Sequence, residues 1–206
     1  NAPRKVDSMT LCAVEPLMKN VGDVINYQEI GVARIDLIRP LWEKLNAYHI
    51  SLSPHFAARR AARVFEARKQ EFLAKSTSGA LRVDVAYAVG HDTLIAYCVS
   101  TLTLDRTGEI DSLFVEQQYR GYCLGTALTE RALAWMTDQT AVAKVVIVAF
   151  ENQAALEFYR QFGFAPFNMS MRQLSDTDRQ PTAAPNDDPV VPSVDSGVSG
   201  EQPPAS

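Results

Sequence analysis

Apolar residues along this chain change their spacing in a definite order, and that order predicts the elements. From Ile35 to His49, Leu37, Ile38, Leu41, Trp42 and Leu45 recur every three to four residues, the spacing of one helix face. Asp36 is the expected N-cap, and Pro40 then falls in the first turn, where it is tolerated. Ser51-Leu52-Ser53-Pro54 breaks the pattern. Phe56 to Lys75 reads as a second helix, with Ala57, Ala61, Val64, Phe65, Phe72 and Leu73 along one side. After Gly79 the period drops to two: Leu81, Val83, Val85 and Tyr87 alternate with Arg82, Asp84, Ala86 and Ala88, as in a half-buried strand. Gly90-His91-Asp92 is a turn, Thr93–Leu104 a longer strand, and Asp105-Arg106-Thr107-Gly108 another turn. Glu109–Val115 completes a three-stranded antiparallel meander.

A helix follows over Thr126–Thr137, with Leu128, Ala132, Leu133, Trp135 and Met136 on its apolar side. Ala143–Phe150 is almost continuously apolar, the pattern of a strand covered on both faces. Asn152 opens a helix running to Phe162, Gly163 ends it at the C′ position, and Phe164–Leu174 reads as a closing strand. Upstream, residues 26–32 suit an edge strand, and Met9, Leu11, Val14, Leu17 and Met18 have the spacing of a short helix. The domain is therefore placed at 26–174, between an N-terminal extension (1–25) and a tail (175–206) rich in Pro, Ser and Asp that cannot offset its own ordering entropy.

Composition narrows the function classes. The tail holds six acidic residues against Arg179, which leaves the body with 19 basic and 18 acidic residues. A near-neutral body argues against nucleic acid as the main partner. No apolar run approaches the roughly 20 residues that span a bilayer, and no secretory leader opens the chain. Cys12, Cys98 and Cys123 are odd in number and far apart, without zinc spacing or the density of a disulfide scaffold, so a reducing cytoplasm is the simplest inference. No His, Cys, Asp or Glu cluster has metal spacing. The crowded cations Arg59, Arg60, Arg63, Arg68 and Lys69 are expected to form a solvated helix face, with contact to an acidic acceptor as the rival reading.

Candidate chemistry sits between the third strand and the next helix. Arg120-Gly121-Tyr122-Cys123-Leu124-Gly125 is a glycine-bearing turn that opens a helix. The amides of a first helical turn have no internal acceptor, and the helix dipole favours anions there, so such a turn suits phosphate. Alone, it fits an ordinary strand-to-helix connection equally well.

Two blocks resemble the GNAT superfamily of N-acetyltransferases. Leu113-Phe114-Val115 followed by Arg120-Gly121-Tyr122-Cys123-Leu124-Gly125 is similar to the family's Arg/Gln-x-x-Gly-x-Gly/Ala acetyl-CoA motif. Asn152-x-x-Ala155-x-x-Phe158-Tyr159-x-x-x-Gly163-Phe164 is similar to its Asn-x-x-Ala-x-x-x-Tyr-x-x-x-Gly-Phe helix. The likeness covers roughly Leu81 to Arg172. It implies an α+β fold: a mostly antiparallel central sheet, splayed in the middle, with helices on both faces. One departure is Cys123, which stands at the middle glycine of the motif. It is expected to be a small buried apolar residue, with a reactive thiol as the rival reading.

The resemblance further implies acetyl-CoA as co-substrate and a small-molecule or peptide amine as acceptor. Amides of Leu113, Phe114 and Val115 would bind the pantetheine arm, and those of Arg120, Gly121, Tyr122, Cys123, Leu124, Gly125 and Thr126 the pyrophosphate. Asn152 would reach the cofactor where the sheet opens. Tyr159 would protonate the leaving thiolate; a phenol is neutral at pH 7 and can donate. Glu109 takes the place of the family's strand glutamate that deprotonates the amine, and Asp111, two residues on, shares its side of the strand. The family's alternative base position holds Ile147. His49 and His55 lie in the region that walls the acceptor site in relatives, although lone histidines are more often surface residues. The competing reading is a non-catalytic module that senses acyl-CoA. A homodimer is compatible with the near-neutral body.

Overall fold

The computed structural model describes residues 25–88, 93–175 and 178. The expected helix at Met9–Met18, the Gly90-His91-Asp92 turn and almost all of the 175–206 tail lie outside the described residues. Five strands form one sheet in sequential order: β1 (Ile25–Ile30), β2 (Gly79–Ala88), β3 (Leu94–Thr103), β4 (Thr107–Val115) and β5 (Ala143–Val146). The first four pair antiparallel, and β5 pairs parallel to β4. Helix α4 (Leu124–Asp138) makes the crossover that a parallel pair requires. This is the mixed α+β sheet expected, with β1 as its edge strand.

Helices cover both faces. On one side, α1 (Arg39–Leu52) and α3 (Phe65–Thr77) pack Leu41, Trp42, Phe65 and Phe72 against Val83, Val85, Tyr97, Val99 and Phe114. On the other, α4 and α5 (Gln153–Arg160) pack Leu124, Leu128, Ala132, Met136 and Tyr159 against Ala86, Ile95, Cys98 and Ile110. Each fully buried large side chain contributes about 1.5–3 kcal/mol relative to exposure. Because both faces are covered, β2 is not the half-buried strand its alternation suggests. Asp84, on the α4 side, is fully buried and held by Arg82 (2.6 Å) and by Arg131 of α4 (2.9 Å).

Several predicted boundaries move for identifiable reasons. Asp36 caps no helix. It sits inside a 3-10 turn (Val32–Ile38) and pairs with Arg39 (3.1 Å) and Lys69 (2.6 Å), while α1 starts at Arg39 with Pro40 in its first turn. The helix expected over Phe56–Lys75 is broken. A short α2 (Ala57–Ala61) ends before Val64, whose extended backbone (φ −98°, ψ 154°) starts α3. The amide of Asn46 on α1 staples this break by donating to the carbonyls of Arg60 (3.3 Å) and Arg63 (3.2 Å). The turn before β4 is tighter than expected: Thr107 and Gly108 already belong to the strand, and Arg106 takes φ 64°.

The largest departures are at the C-terminal edge. The strand expected over Ala143–Phe150 stops at Val146, and Ile147 and Phe150 are exposed. Residues 164–174 form no strand, so β5 is the sheet edge among the described residues and has no partner on its outer side.

Candidate active site

The turn after β4 meets the requirement for an anion cradle. Cys123 stands at the N-cap of α4 in left-handed backbone (φ 58°, ψ 14°), with no side chain capping the helix. The first helical bond runs from the Ala127 N–H to the Cys123 carbonyl (2.9 Å). The amides of Leu124, Gly125 and Thr126 therefore have no acceptor within the helix. Gly121, at φ 86°, bends the chain so that this end of α4 faces a cavity. Left-handed backbone is what a glycine in this part of the motif would supply. A non-glycine residue there costs about 1–2 kcal/mol. Cys123 is exposed rather than buried, contrary to the sequence reading. At Gly125 an added Cβ would stand 3.4 Å from the Phe158 ring, so the helix start packs directly on α5.

The sheet opens beside this cradle. Pairing between β4 and β5 runs only from Thr107–Ala143 to Ile110–Val146, and beyond it the strands diverge. Near its end β4 remains zipped to β3, where the Glu116 N–H donates to the Ile95 carbonyl (2.9 Å). Alternation along an antiparallel pair then turns the N–H groups of Leu113 and Val115 toward the opening and that of Phe114 toward β3. The Val115 carbonyl on that open side accepts from Arg120 Nε (3.2 Å). The Arg120 guanidinium lies over the rings of Tyr48 and Phe114, 5.8 Å from each centroid. Of the three strand-end residues expected to meet a cofactor, two thus present their amides and the third is committed to the sheet.

Helix α5 forms the far wall. Asn152 is its N-cap and accepts from the Ala155 N–H (3.1 Å). Gly163, at φ 82°, closes the helix with the two bonds of a Schellman motif: Gly163 N–H to Arg160 and Phe164 N–H to Tyr159. Tyr159 is 7% exposed, its ring edge-on to Phe158 and Phe164. Burial, then the proximity of Cys98 and Tyr97, pushes its phenol well above 10, so it stays protonated at any ordinary pH.

Two cavities meet at this wall. One, about 410 Å³, is lined by the strand end, the glycine turn and α5. The other, about 580 Å³, is lined by α1, α2, α3, β4 and residues 146–149. Leu113, Asn152, Ala155 and Tyr159 border both. Val146 to Ala149 thus form a cleft wall rather than core.

The floor of the larger cavity carries the two expected carboxylates. Glu109 and Asp111 share a side of β4, as their spacing predicts, and both accept from Lys75 Nζ of α3. Asp111 is the bulged residue between the Ser100–Ile110 and Val99–Ser112 pairs. Its side chain is 3% exposed and also accepts from Arg68 (2.5 Å) and Thr101 (3.0 Å). Burial alone would raise Asp111; the Lys75 hydrogen bond and the Arg68 charge outweigh it and hold the group below the usual carboxylate range. A carboxylate so fully engaged is a poor base, which removes the expectation that it accepts the amine proton. Among the described residues Glu109 has one ionic partner, Lys75 (2.8 Å), and its side chain is 20% exposed.

The sequence reading of the α2–α3 arginines also changes. Arg68 is 11% exposed and bound to Asp111, and Arg60 is half-buried in the lining of the larger cavity; Arg63 also borders that cavity but stays exposed, as does Arg59, in line with the expected solvated face. His49 lines the same cavity; burial, then the charges of Arg60 and Arg63, lowers its pKa below 6.5. His55 does not line either cavity. Sequence reasoning passed over Lys75, although its seven-residue spacing from Arg68 puts both on one helix face. It also passed over Asn46, for which no sequence signal exists. Among the described residues, no group of three His, Cys, Asp or Glu side chains is placed to hold a metal.

The family model described as "Acetyltransferase (GNAT) family" matches residues 43–164, more than half of the chain. The chain belongs to the GNAT acetyltransferase family. Among curated proteins, it is 32% identical over 66 residues to the uncharacterized N-acetyltransferase MJ1207 of Methanocaldococcus jannaschii. That match covers 32% of this chain and 29% of the relative, so the chain spans under a third of that protein's length. Among solved structures, a tetramutant of the BH1408 protein from Bacillus halodurans superposes with TM-score 0.57 at 19% identity, over 72% of this chain and 98% of that one. A putative acetyl transferase from Pyrococcus furiosus gives 0.55 at 22%, over 72% and 99%. The aminoglycoside N-acetyltransferase AAC(6')-Iy, solved in complex with CoA, gives 0.53 at 14%, over 76% and 97%. These likenesses establish the GNAT fold. Among the described residues, no helix is long and apolar enough to cross a membrane.

Proposed function

We propose that this protein transfers the acetyl group of acetyl-CoA to a primary amine by direct attack in a ternary complex. The observation that carries the reading is the junction of the two cavities at Tyr159, with uncapped amides of α4 on one side and carboxylates on the other. The aminoglycoside acetyltransferase neighbour, which binds CoA, supports the same use of this fold.

The diphosphate lies on the amides of Leu124, Gly125 and Thr126 and on the Gly121–Tyr122 turn, where dipole and unsatisfied donors favour an anion. The pantetheine arm pairs with the open amides of Leu113 and Val115, adding a short strand to β4. The thioester then reaches the junction. Glu109, directly or through water, takes a proton from the acceptor ammonium, and the freed nitrogen lone pair attacks the thioester carbonyl. As the tetrahedral intermediate collapses, the C–S bond breaks and the Tyr159 hydroxyl donates its proton to sulfur, so CoA leaves as the thiol. The excess amide proton returns through solvent to the phenolate. Asp111 is a positioning residue that holds Lys75 and Arg68 around Glu109.

The test is thiol release from acetyl-CoA with a panel of amines. Tyr159→Phe should lower kcat by about 10²–10⁴, the usual contribution of general acid catalysis, while the Kd for acetyl-CoA stays within about twofold. Unchanged turnover would remove Tyr159 from the mechanism. Acetyl-CoA binding without turnover of any amine would instead favour the sensing module.

A further inference from the structure

The larger cavity holds more positive charge than its own carboxylates neutralise. Arg63 is bound to Glu71 (2.7 Å), Arg68 to Glu71 and Asp111, and Lys75 to Glu109 and Asp111. Three cations thus answer the three carboxylates that line the cavity. Arg60 is the fourth cation, and among the described residues no hydrogen bond to its guanidinium exists. Its Nε is buried without a partner. The nearest carboxylate, Glu151, lies outside the cavity lining and stands 3.9 Å from Nη2, beyond hydrogen-bond reach. A buried, unsatisfied donor on a charged group is unfavourable unless something fills it.

The placement of Arg60 is specified. The break between α2 and α3 turns Arg60 and Arg63 toward the cavity, and the Asn46 amide locks that break to α1 through both of their carbonyls. His49, on the same wall, has its pKa lowered by burial and then by these two arginines, which disfavours a further positive charge there.

Resting on the transferase reading, we propose that Arg60 is a specificity residue and that the acceptor amine carries a carboxylate, which the guanidinium grips while the ammonium end reaches Glu109. The cavity is polarised for such a molecule, with carboxylates along β4 and, on the α2 wall, an arginine that pairs with Glu151 only at 3.9 Å and without a hydrogen bond. A single guanidinium without a hydrogen-bonded partner suits a monoanion. A phosphate or phosphonate dianion would face Glu71, Glu109 and Asp111 with more charge than Arg60 answers.

The experiment uses matched acceptors with the full chain and acetyl-CoA: lysine, phenylalanine and 4-aminobutanoate, each beside its carboxamide and its decarboxylated amine, with 3-aminopropylphosphonate as the dianionic arm. The acid should exceed its neutral partners by about 10- to 100-fold in kcat/KM, the range of a charge-assisted fork, and the phosphonate should trail the carboxylate. In Arg60→Gln the ratio of acid to amide should fall toward one, with the Kd for acetyl-CoA reporting that the variant is folded. Neutral amines equal to their acids, or a ratio unmoved by Arg60→Gln, overturns the proposal and leaves the transferase reading standing. A second readout does not depend on turnover. In the CoA-bound wild-type protein, the ¹⁵N-labelled Arg60 Nε–H resonance should shift and exchange more slowly on titration with N-acetyl-4-aminobutanoate. It should not respond to the corresponding amide. A response without turnover of any amine would uphold the carboxylate site and sink the transferase reading; equal or absent responses would sink the carboxylate site.

Discussion

Replacing Asp111 with asparagine removes one buried negative charge and little volume. The aspartate side chain is 3% exposed and accepts from Arg68, Lys75 and Thr101. Breaking a buried ion pair from one side costs about 3–5 kcal/mol, because the partner charge stays behind. Here the partners are not stranded: Arg68 keeps Glu71 and Lys75 keeps Glu109. The lower end applies, about 3 kcal/mol, which for a domain of this size lowers Tm by about 6–12 °C. The pH dependence has a fixed sign. The folded-state pKa of Asp111 is depressed, so its stabilisation is fully present above the unfolded value of about 3.9 and is lost as pH falls through the folded value. Urea unfolding of both proteins should therefore show the full difference at pH 7 and a shrinking one below about pH 4. A variant within about 0.5 kcal/mol of wild type at pH 7, the ordinary range for surface changes, would refute this reasoning. So would a gap that widens on acidification.

Two further perturbations separate the cofactor site from the scaffold. Gly125→Glu places a carboxylate at the first turn of α4, where a Cβ already meets Phe158 at 3.4 Å; the thermal shift produced by CoA should vanish while the far-UV CD spectrum is kept, and a retained shift would mean the cradle lies elsewhere. Asn152→Ala removes the α5 cap bond to Ala155 and should cost about 1 kcal/mol, read as a lower urea midpoint at constant m; an unchanged midpoint would show that solvent caps the helix equally well.

The parts of the site that were legible in sequence are those fixed by local chemistry. A strand, a glycine turn and a helix start determine where unsatisfied amides fall, so the donors at the start of α4 could be anticipated from the residues, whereas the part given to Leu113, Phe114 and Val115 came from the resemblance. Asn152 and Gly163 are cap residues whose positions follow from backbone geometry alone. What escaped depends on distant contacts. The break at Ala62–Val64 contains neither glycine nor proline, and Asn46, sixteen residues before Ala62, decides it. Asp111 looked like a second base because its spacing from Glu109 is right; its pairing with Arg68 and Lys75 belongs to the α3–β4 packing. The apolar run to Phe150 reads as core in one dimension, since a cleft wall and a buried strand share a composition. Cys123 shows the converse: its backbone keeps the left-handed turn associated with glycine, at a cost in strain.

The central claim is that main-chain donors of the Gly121–Thr126 turn and of Leu113 and Val115 hold the cofactor. A ¹H–¹⁵N titration of the protein with CoA tests it most directly. The amides of Leu113, Val115, Gly121, Leu124, Gly125 and Thr126 should show the largest shifts, with Phe114, hydrogen-bonded to β3, moving less. Saturable CoA binding that leaves those amides in place, or no binding at all, would contradict the account.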